Sequence, residues 1–251
     1  MERRTRPLNF CILNAPYFRV ESERFGSIMK LILILVAILS GTNLFAQNFS
    51  YPKLPYAGKN IEAFLPPNWK FKDSAEGDLN RDKINDVALV IEYKDTVDEM
   101  RPNGYENHGS PRVLLVLLKN QKTDSYDLFL QNNTFIVRYG EGGMSPDPYD
   151  QVDIVKGILL ISIEFVRGST NYKFRMQNGD LYLIGGSSYG SSGGMLEGID
   201  ANFSTGKAKI ESGPIEEDPK VKWVTLPKTP LKKLRDMKMI FEWEVVEGRY
   251  L

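Results

Sequence analysis

The stretch that decides the fold is Tyr172-Lys173-Phe174-Arg175-Met176-Gln177-Asn178-Gly179-Asp180-Leu181-Tyr182-Leu183-Ile184. Before Asn178-Gly179 apolar and polar residues alternate with the period of two of a half-buried β-strand, and a short apolar run follows the pair. Asn-Gly is typical of a type I′ turn, because both central residues must accept positive φ. The stretch therefore predicts a β-hairpin.

Similar signals lie on both sides of this hairpin. Short apolar segments flank Gly157 and the turn Ser204-Thr205-Gly206-Lys207, and together with the central hairpin they predict an antiparallel meander. Nearer the N-terminus, residues 112–118 form the most apolar run after residue 46 and predict a central strand. Residues 87–93 are rich in β-branched side chains and predict another strand.

Three other segments give weaker signals. Residues 95–111 are polar, contain Pro and Gly, and predict a long loop. Asn132-Asn133 predicts a tight turn between a strand at 124–130 and a second strand at 134–139. Residues 227–251 predict a short helix followed by a strand. No segment keeps the period of a long amphipathic helix, so we expect a mainly β, sandwich-like single domain with a few short helical turns.

The N-terminal region resembles an export signal. From Met29 the chain has one lysine, a nine-residue apolar run at 31–39, and small residues before Gln47. The run is shorter than the roughly 20 residues that a membrane-spanning helix needs. We therefore expect residues 1–28 to be a non-native upstream extension, 29–46 a signal peptide, and 47–251 an exported β-rich domain. The alternative is a genuine extension that makes the apolar run a signal anchor.

Composition limits the possible partners of the exported domain. Cleavage after Ala46 would remove six basic and three acidic residues and leave 26 basic and 29 acidic ones. This mildly acidic balance excludes an overall electrostatic signal for nucleic acid, and no transmembrane segment is expected in the mature chain. The only cysteine, Cys11, would also be removed, so no disulfide could stabilise the domain.

The acidic run Asp78-Leu79-Asn80-Arg81-Asp82-Lys83-Ile84-Asn85-Asp86 predicts a calcium loop. Side-chain oxygens occupy positions one, three, five and nine of the run, and the seventh residue offers its carbonyl, a spacing that suits a hard cation. The predicted ligands are Asp78, Asn80, Asp82, Ile84 and Asp86. The alternative interpretation is a solvated acidic turn between strands.

Two positions of this loop predict weak binding. Position six is Lys83, where the sharp turn of an EF-hand takes glycine, and position twelve is Leu89, where an EF-hand has a bidentate glutamate. A non-glycine residue in a left-handed conformation costs about 1 kcal/mol, and the lysine charge repels a cation. We expect a single weak structural site, with a dissociation constant of roughly 10⁻⁴ to 10⁻³ M.

The acidic run, with Gly77 before it and an apolar strand after it, resembles the calcium loop of FG-GAP repeats, the integrin-type propeller motif. More broadly, the succession of motifs from Phe64-Leu65-Pro66 to Asn202-Phe203-Ser204-Thr205-Gly206-Lys207 is similar to an uncharacterised family of exported bacterial proteins. That resemblance implies a β-rich fold and a periplasmic or extracellular location, and it brings no catalytic residue. The calcium signature occurs once, so a propeller is not expected.

Several catalytic motifs can be set aside. Gly186-Ser187-Ser188-Tyr189-Gly190 fits G-x-S-x-G, and Gly190-Ser191-Ser192-Gly193-Gly194 fits it again. A nucleophile elbow needs a following helix and a later histidine, so we predict a flexible hairpin loop over residues 186–194. The only histidine, His108, lies upstream in a polar segment and cannot form a zinc site without further histidines or cysteines. Adjacent carboxylates such as Asp98-Glu99 point apart on a strand and do not make a glycosidase pair.

Two functional hypotheses remain. The first is an exported, non-enzymatic β-rich module that binds a glycan, a peptide or a component of the cell envelope and is stabilised by the calcium loop. The second is a secreted hydrolase that uses carboxylates assembled by the fold. An exposed aromatic face would favour the first, and a cleft with convergent, desolvated carboxylates would favour the second.

Overall fold

A computed structural model describes residues 49–251, and residues Tyr51–Leu251 form one compact unit. The proposed extension, the signal peptide and Cys11 lie outside the described residues. The strands are β1 (Ala57–Gly58), β2 (Trp69–Gly77), β3 (Asp86–Tyr93), β4 (Val97–Met100), β5 (Glu106–Gly109), β6 (Arg112–Asn120), β7 (Ser125–Asn132), β8 (Tyr149–Val155), β9 (Ile158–Phe165), β10 (Gly168–Gln177), β11 (Asp180–Ser192), β12 (Met195–Asn202), β13 (Lys207–Pro214), β14 (Lys220–Thr225), β15 (Glu244–Val246) and β16 (Arg249–Tyr250).

These strands form two main antiparallel sheets. The first has the order β1-β7-β6-β3-β2, and the second is a seven-stranded meander from β8 to β14 in chain order. The pairs β4-β5 and β15-β16 form separate small hairpins. The only helical elements of the described residues are the 3-10 turns Ile61–Phe64 and Leu234–Asp236. The chain is therefore mainly β, as the sequence predicted, and the meander of hairpins is confirmed.

The two main sheets share one hydrophobic core. Alternate residues of β3 and β6, among them Val90 and Val116, belong to the same buried cluster as Tyr172 and Phe174 of β10. Phe135 packs edge-on against Tyr172, with ring centroids 5.1 Å apart. Edge-to-face pairs of this kind are favourable because the positive ring edge meets the negative ring face. In the described residues, no helix is long and apolar enough to cross a bilayer.

Polar groups also connect the sheets. Asp73 of β2 accepts hydrogen bonds from the Tyr149 hydroxyl and the Val152 backbone of β8, both at 2.9 Å. Arg112 of β6 is buried and donates to Glu92 and to both carboxylate oxygens of Asp147, each at 2.7 Å. A buried arginine needs such partners, because a charge without them carries a large desolvation cost.

Three local predictions were wrong. Residues 134–139 form no strand, because the side-chain oxygen of Asn132 accepts the amides of Thr134 and Phe135 and turns the chain out of the sheet. The expected loop at 95–111 contains the hairpin β4-β5. Most of the expected flexible loop at 186–194 is strand, since Gly190 pairs with Gly168 on one side and Glu197 on the other.

The C-terminal prediction was partly correct. Where a short helix and a strand were expected, the chain has one 3-10 turn, at Leu234–Asp236, and the hairpin β15-β16. The side-chain amide of Asn132 donates to the carbonyls of Leu234 and Met237, both at 2.8 Å, and so fixes this segment to the first sheet. Leu251 is fully buried.

Candidate functional site

The acidic loop connects β2 to β3, and its first carboxylate organises the turn. Asp78 Oδ1 accepts the backbone amides of Arg81 at 2.6 Å and Asp82 at 3.1 Å, and Oδ2 accepts the amide of Lys83 at 2.9 Å. Arg81 and Lys83 both have left-handed backbones, with φ of 68° and 71°. The strained conformation expected at Lys83 is therefore present, and Asp78 holds it in place.

The exposed half of the loop forms two further turns of this kind. Asn80 Oδ1 accepts the amide of Asp82, and Asp82 Oδ1 accepts the amide of Ile84, each at 2.9 Å. The Asn80 amide nitrogen also donates to Asp82 Oδ2 at 3.0 Å. These short-range bonds place Asp78, Asn80 and Asp82 around one tight turn.

Asp86 has a different position from the other predicted ligands. Its side chain is fully buried, where Oδ2 accepts the amides of Leu79 and Asn80 at 3.0 and 3.3 Å, and Oδ1 accepts the amide of Lys119 on β6 at 3.0 Å. Burial raises the pKa of Asp86, although the three amides oppose that effect by stabilising the charged form. Asp86 thus ties the loop to the neighbouring strand from inside the molecule.

The donor chemistry of the loop fits a hard cation only in part. Asp78, Asn80 and Asp82 offer carboxylate and amide oxygens near the Ile84 carbonyl, as calcium prefers, but Arg81 and Lys83 bring positive charge to the same turn. Within residues 49–251, no three acidic, histidine or cysteine side chains converge as in a metal site. Calcium binding by Asp78, Asn80, Asp82, Ile84 and Asp86 stays a prediction.

The loop lies where the two main sheets meet. Leu79 is buried in the shared core, and a Cβ on Gly77 would stand 2.5 Å from a side-chain carbon of Ile154 on β8. The Asp78 carbonyl also approaches the β8-β9 turn, since a Cβ on Gly157 would lie 3.1 Å from it. The acidic loop therefore packs between the two main sheets.

A large cavity lies elsewhere, at one end of the seven-stranded sheet. This groove has a volume of about 1070 Å³, and its floor comes from β9 to β12. Its walls come from the loop around residues 142–144, from Phe241 and from the β15-β16 hairpin. Large apolar side chains at its edge are exposed to solvent, namely Met144, Val166, Met195, Phe241 and Tyr250. We call this cavity the meander groove.

The depth of the meander groove comes from small residues on adjacent strands. Gly168 of β10 pairs with Gly190 of β11, and Thr170 pairs with Ser188 in the same two strands. A Cβ on Gly168 would collide with the Tyr189 carbonyl at 2.2 Å, whereas a Cβ on Gly190 would meet only the Arg167 carbonyl at 3.7 Å. Gly190 therefore leaves open a space that a larger side chain could fill.

The groove contains few charged groups. Its only carboxylate is Glu197 of β12, which forms an ion pair with Arg249 of β16 at 3.2 Å. This pair connects the floor to the C-terminal wall. Arg167 is exposed at the β9-β10 turn and forms no ion pair within the described part of the chain. The convergent carboxylates expected of a glycosidase are not found in this groove.

The residues of the rejected motifs are also placed by the structure. Gly186-Ser187-Ser188-Tyr189-Gly190 lies within strand β11, without the helix that a nucleophile elbow requires. Asp98 and Glu99 point apart as expected: Asp98 contacts His108, and Glu99 contacts buried Arg138 at 2.7 Å. Tyr172 and Phe174 are fully buried, and Tyr182 and Tyr189 are half-buried.

One contact resembles a catalytic relay. His108 Nδ1 lies 2.6 Å from Asp98 Oδ1, and His108 Nε2 lies 3.3 Å from the Thr96 hydroxyl. Asp98 and His108 are directly opposed on β4 and β5, and their side chains are 64% and 70% exposed. No described cavity includes any of the three residues. The geometry is that of an exposed cross-strand pair.

Comparisons with protein-family models, with curated proteins and with solved structures find no match for this chain. The residues of the molecule therefore carry the functional argument alone. Sequence reasoning missed the meander groove, because its parts come from separated segments between residues 142 and 250. One signal was present: the Gly- and Ser-rich stretch at 186–192, whose small side chains leave the floor open.

Proposed function

We propose that this protein is an exported, non-enzymatic binding module and that the meander groove is its ligand site. The observation that carries the proposal is the groove itself: about 1070 Å³ of concave surface edged by Met144, Val166, Met195, Phe241 and Tyr250. Contiguous exposed apolar side chains around a concavity are typical of binding sites, whereas isolated ones are ordinary on a protein surface.

The chemistry of the groove favours a peptide over a neutral glycan. Methionine side chains are flexible and polarisable, so Met144 and Met195 suit apolar side chains of varied shape. Hydroxyls of Ser188 and Ser191 supply polar partners for a peptide backbone, and Arg167 offers a positive charge at the edge. We propose a peptide segment with large apolar side chains and an acidic group as the ligand.

The arrangement of charged groups in the meander groove supports binding over hydrolysis. Glu197 is paired with Arg249, and no second carboxylate faces it across the groove. A carboxylate hydrolase needs two such groups on opposite sides of a scissile bond.

A pair of arrays tests the binding proposal. One carries short peptides with large apolar side chains, the other neutral oligosaccharides, and both are probed with the wild-type protein and with Gly190→Phe. Thr225→Phe, which adds the same side chain at an exposed position of β14 outside the groove, is the control.

We expect peptide binding that Gly190→Phe removes and Thr225→Phe retains. Equal binding by all three proteins would exclude the groove as the site. Binding to oligosaccharides alone would contradict the ligand class, and cleavage of the bound peptides, detected by mass spectrometry, would contradict the non-enzymatic role.

We further propose that the domain is exported and that its acidic loop binds one calcium ion. The signal-like residues 29–46 support export, and an intact mass that begins at Gln47 would test it. The ion would be held by Asp78, Asn80, Asp82 and the Ile84 carbonyl, where the loop packs between the two sheets. There it would stabilise the fold without taking part in ligand binding.

A further inference from the structure

Another cavity lies near the end of the meander strands that is remote from Gly190, next to the β12-β13 turn. It has a volume of about 450 Å³ and is bounded by that turn, by the segment after β14 and by Trp243. Its lining contains two cations, three hydroxyl side chains and two aromatic rings, and no carboxylate. The lining residues used below are Arg175, Phe203, Ser204, Thr205, Lys228, Thr229 and Trp243.

The cations of this cavity have no acidic partner. Arg175 donates to neutral oxygens only, the Gln177 side chain at 3.3 Å and the Ser204 hydroxyl at 3.4 Å. Lys228 is exposed, and neither cation belongs to an ion pair among residues 49–251. Both positive charges are therefore available to an anion that enters the cavity.

An apolar wall faces these charges. Phe203 and Trp243 are stacked, with ring centroids 4.6 Å apart and an interplanar angle of 25°. The Lys232 ammonium lies 5.2 Å from the centroid of the Trp243 ring and adds a third positive charge beside the wall. Rings next to hydroxyls and cations give one cavity both an apolar surface and donors for charged and polar groups.

Charge along the chain is concentrated near this cavity. Residues 219–238 contain seven basic residues and one acidic residue, although the whole chain has zero formal charge. Lys233 and Arg235 of this segment pair with Asp180, and the other five basic residues do not form ion pairs within the described region. The acidic turn Glu216-Glu217-Asp218 precedes β14, so it is separated from Lys228 by a strand of about 20 Å.

We propose that this cavity binds an anionic saccharide, a sugar that carries a carboxylate, sulfate or phosphate group. Arg175 and Lys228 would bind the anion, while Ser204, Thr205 and Thr229 would exchange hydrogen bonds with sugar hydroxyls. The Phe203-Trp243 wall would contact the apolar face of the ring. The inference does not depend on the meander groove, because the two cavities share no lining residue.

The experiment measures binding of the mature protein to oligogalacturonate and to sulfated dextran by calorimetry at low and moderate salt. Neutral dextran, single-stranded DNA and anionic phospholipid vesicles are the comparison probes. Arg175→Gln, Lys228→Gln and Trp243→Leu test the cavity. Lys222→Gln is the matched control, because it removes the same charge from the same basic segment outside the cavity.

We expect Arg175→Gln to weaken binding about tenfold, as the loss of a charge-assisted hydrogen bond does, and Lys222→Gln to weaken it less than about twofold. Trp243→Leu should weaken saccharide binding at constant charge, with thermal unfolding checking that the variant is folded. An equal loss in Lys222→Gln would show a general charge effect and overturn the proposal. Equal affinity for DNA or vesicles, binding to neutral dextran, or no binding to either anionic saccharide would also overturn it.

Discussion

The acidic loop and the meander groove are built in opposite ways. The loop is a local structure: all but one of the hydrogen bonds of its acidic side chains stay within residues 78–86, and the exception joins Asp86 to Lys119. The groove is assembled from segments between residues 142 and 250 and leaves apolar side chains exposed. Polar groups whose hydrogen bonds are formed within the protein stabilise its fold. Exposed apolar surface can instead be buried against a binding partner, which is favourable for binding.

The largest expected effect concerns Asp86. Asp86→Ala would leave three backbone amides without their acceptor in a buried position, and we expect it to lower the free energy of unfolding by about 3 kcal/mol. Asp82→Ala, at an exposed position of the same loop, should change it by no more than about 0.5 kcal/mol. Urea unfolding in the presence of a chelator measures both. Equal effects would show that the loop is not anchored from within.

Calcium gives the next largest effect. A site with a dissociation constant of roughly 10⁻⁴ to 10⁻³ M would stabilise the fold by about 1 to 3 kcal/mol at calcium concentrations near 10 mM. We expect the thermal midpoint to rise with calcium and the rise to vanish in Asp78→Ala. Lys83→Gly should increase it, because it relieves a left-handed residue with φ of 71° and removes a positive charge. Equal midpoints with calcium and with chelator would exclude the ion.

A smaller, pH-dependent effect is expected at the ion pair between Arg112 and Asp147. Burial alone would raise the pKa of Asp147, but hydrogen bonds from Arg112 and Lys72 outweigh it and lower that pKa from 3.8 to about 2. Asp147 thus contributes stability above its unfolded pKa, and this contribution is lost as the pH falls from about 4 to about 2. Acid should therefore weaken the attachment of the segment around Asp147 to Arg112 of β6.

Urea unfolding at several pH values measures this loss. The free energy of unfolding should decrease more steeply below pH 4 in the wild type than in Asp147→Asn, which cannot ionise at this position. Glu92 shares Arg112 with Asp147, so the difference between the two proteins measures Asp147 together with its coupling to Glu92. Parallel pH profiles would contradict the role of the Arg112-Asp147 pair.

The smallest effect is expected at Glu197. The Glu197 side chain is 62% exposed and forms an ion pair with Arg249. Because exposed ion pairs contribute little, Glu197→Gln should change the free energy of unfolding by no more than about 0.5 kcal/mol. Peptide binding in the groove should persist, because apolar contacts carry it. Loss of binding with unchanged stability would instead give Glu197 a direct role in the site.

The sequence predicted what local rules control. The turn at Asn178-Gly179, the buried strand β6 and the left-handed Lys83 all follow from residue type and short-range spacing. The strand expected at 134–139 is absent because the Asn132 side-chain oxygen accepts the amides of Thr134 and Phe135. The Asn132 amide nitrogen also donates to Leu234 and Met237, about a hundred positions away, and long-range contacts of this kind leave no periodic pattern in the sequence.

The same limit explains the candidate sites. The spacing from Asp78 to Asp86 indicates a loop with oxygen ligands, but it does not show that Asp86 faces the core. The Gly- and Ser-rich residues 186–192 were interpreted as flexible, since glycine and serine are common in loops. Pairing with β10 and β12 holds them in a strand instead, and their small size then forms the floor of a groove.

The most direct test of the central claim is a calorimetric titration of the wild-type protein and Gly190→Phe with a peptide selected on the array. Thermal unfolding of both proteins shows whether each is folded. The added ring would enter a space where the nearest protein atom is 3.7 Å from the new Cβ, so the fold should persist. We expect a thermal midpoint close to that of the wild type and at least about tenfold weaker binding. Unchanged affinity in a folded Gly190→Phe protein would show that the meander groove is not the binding site.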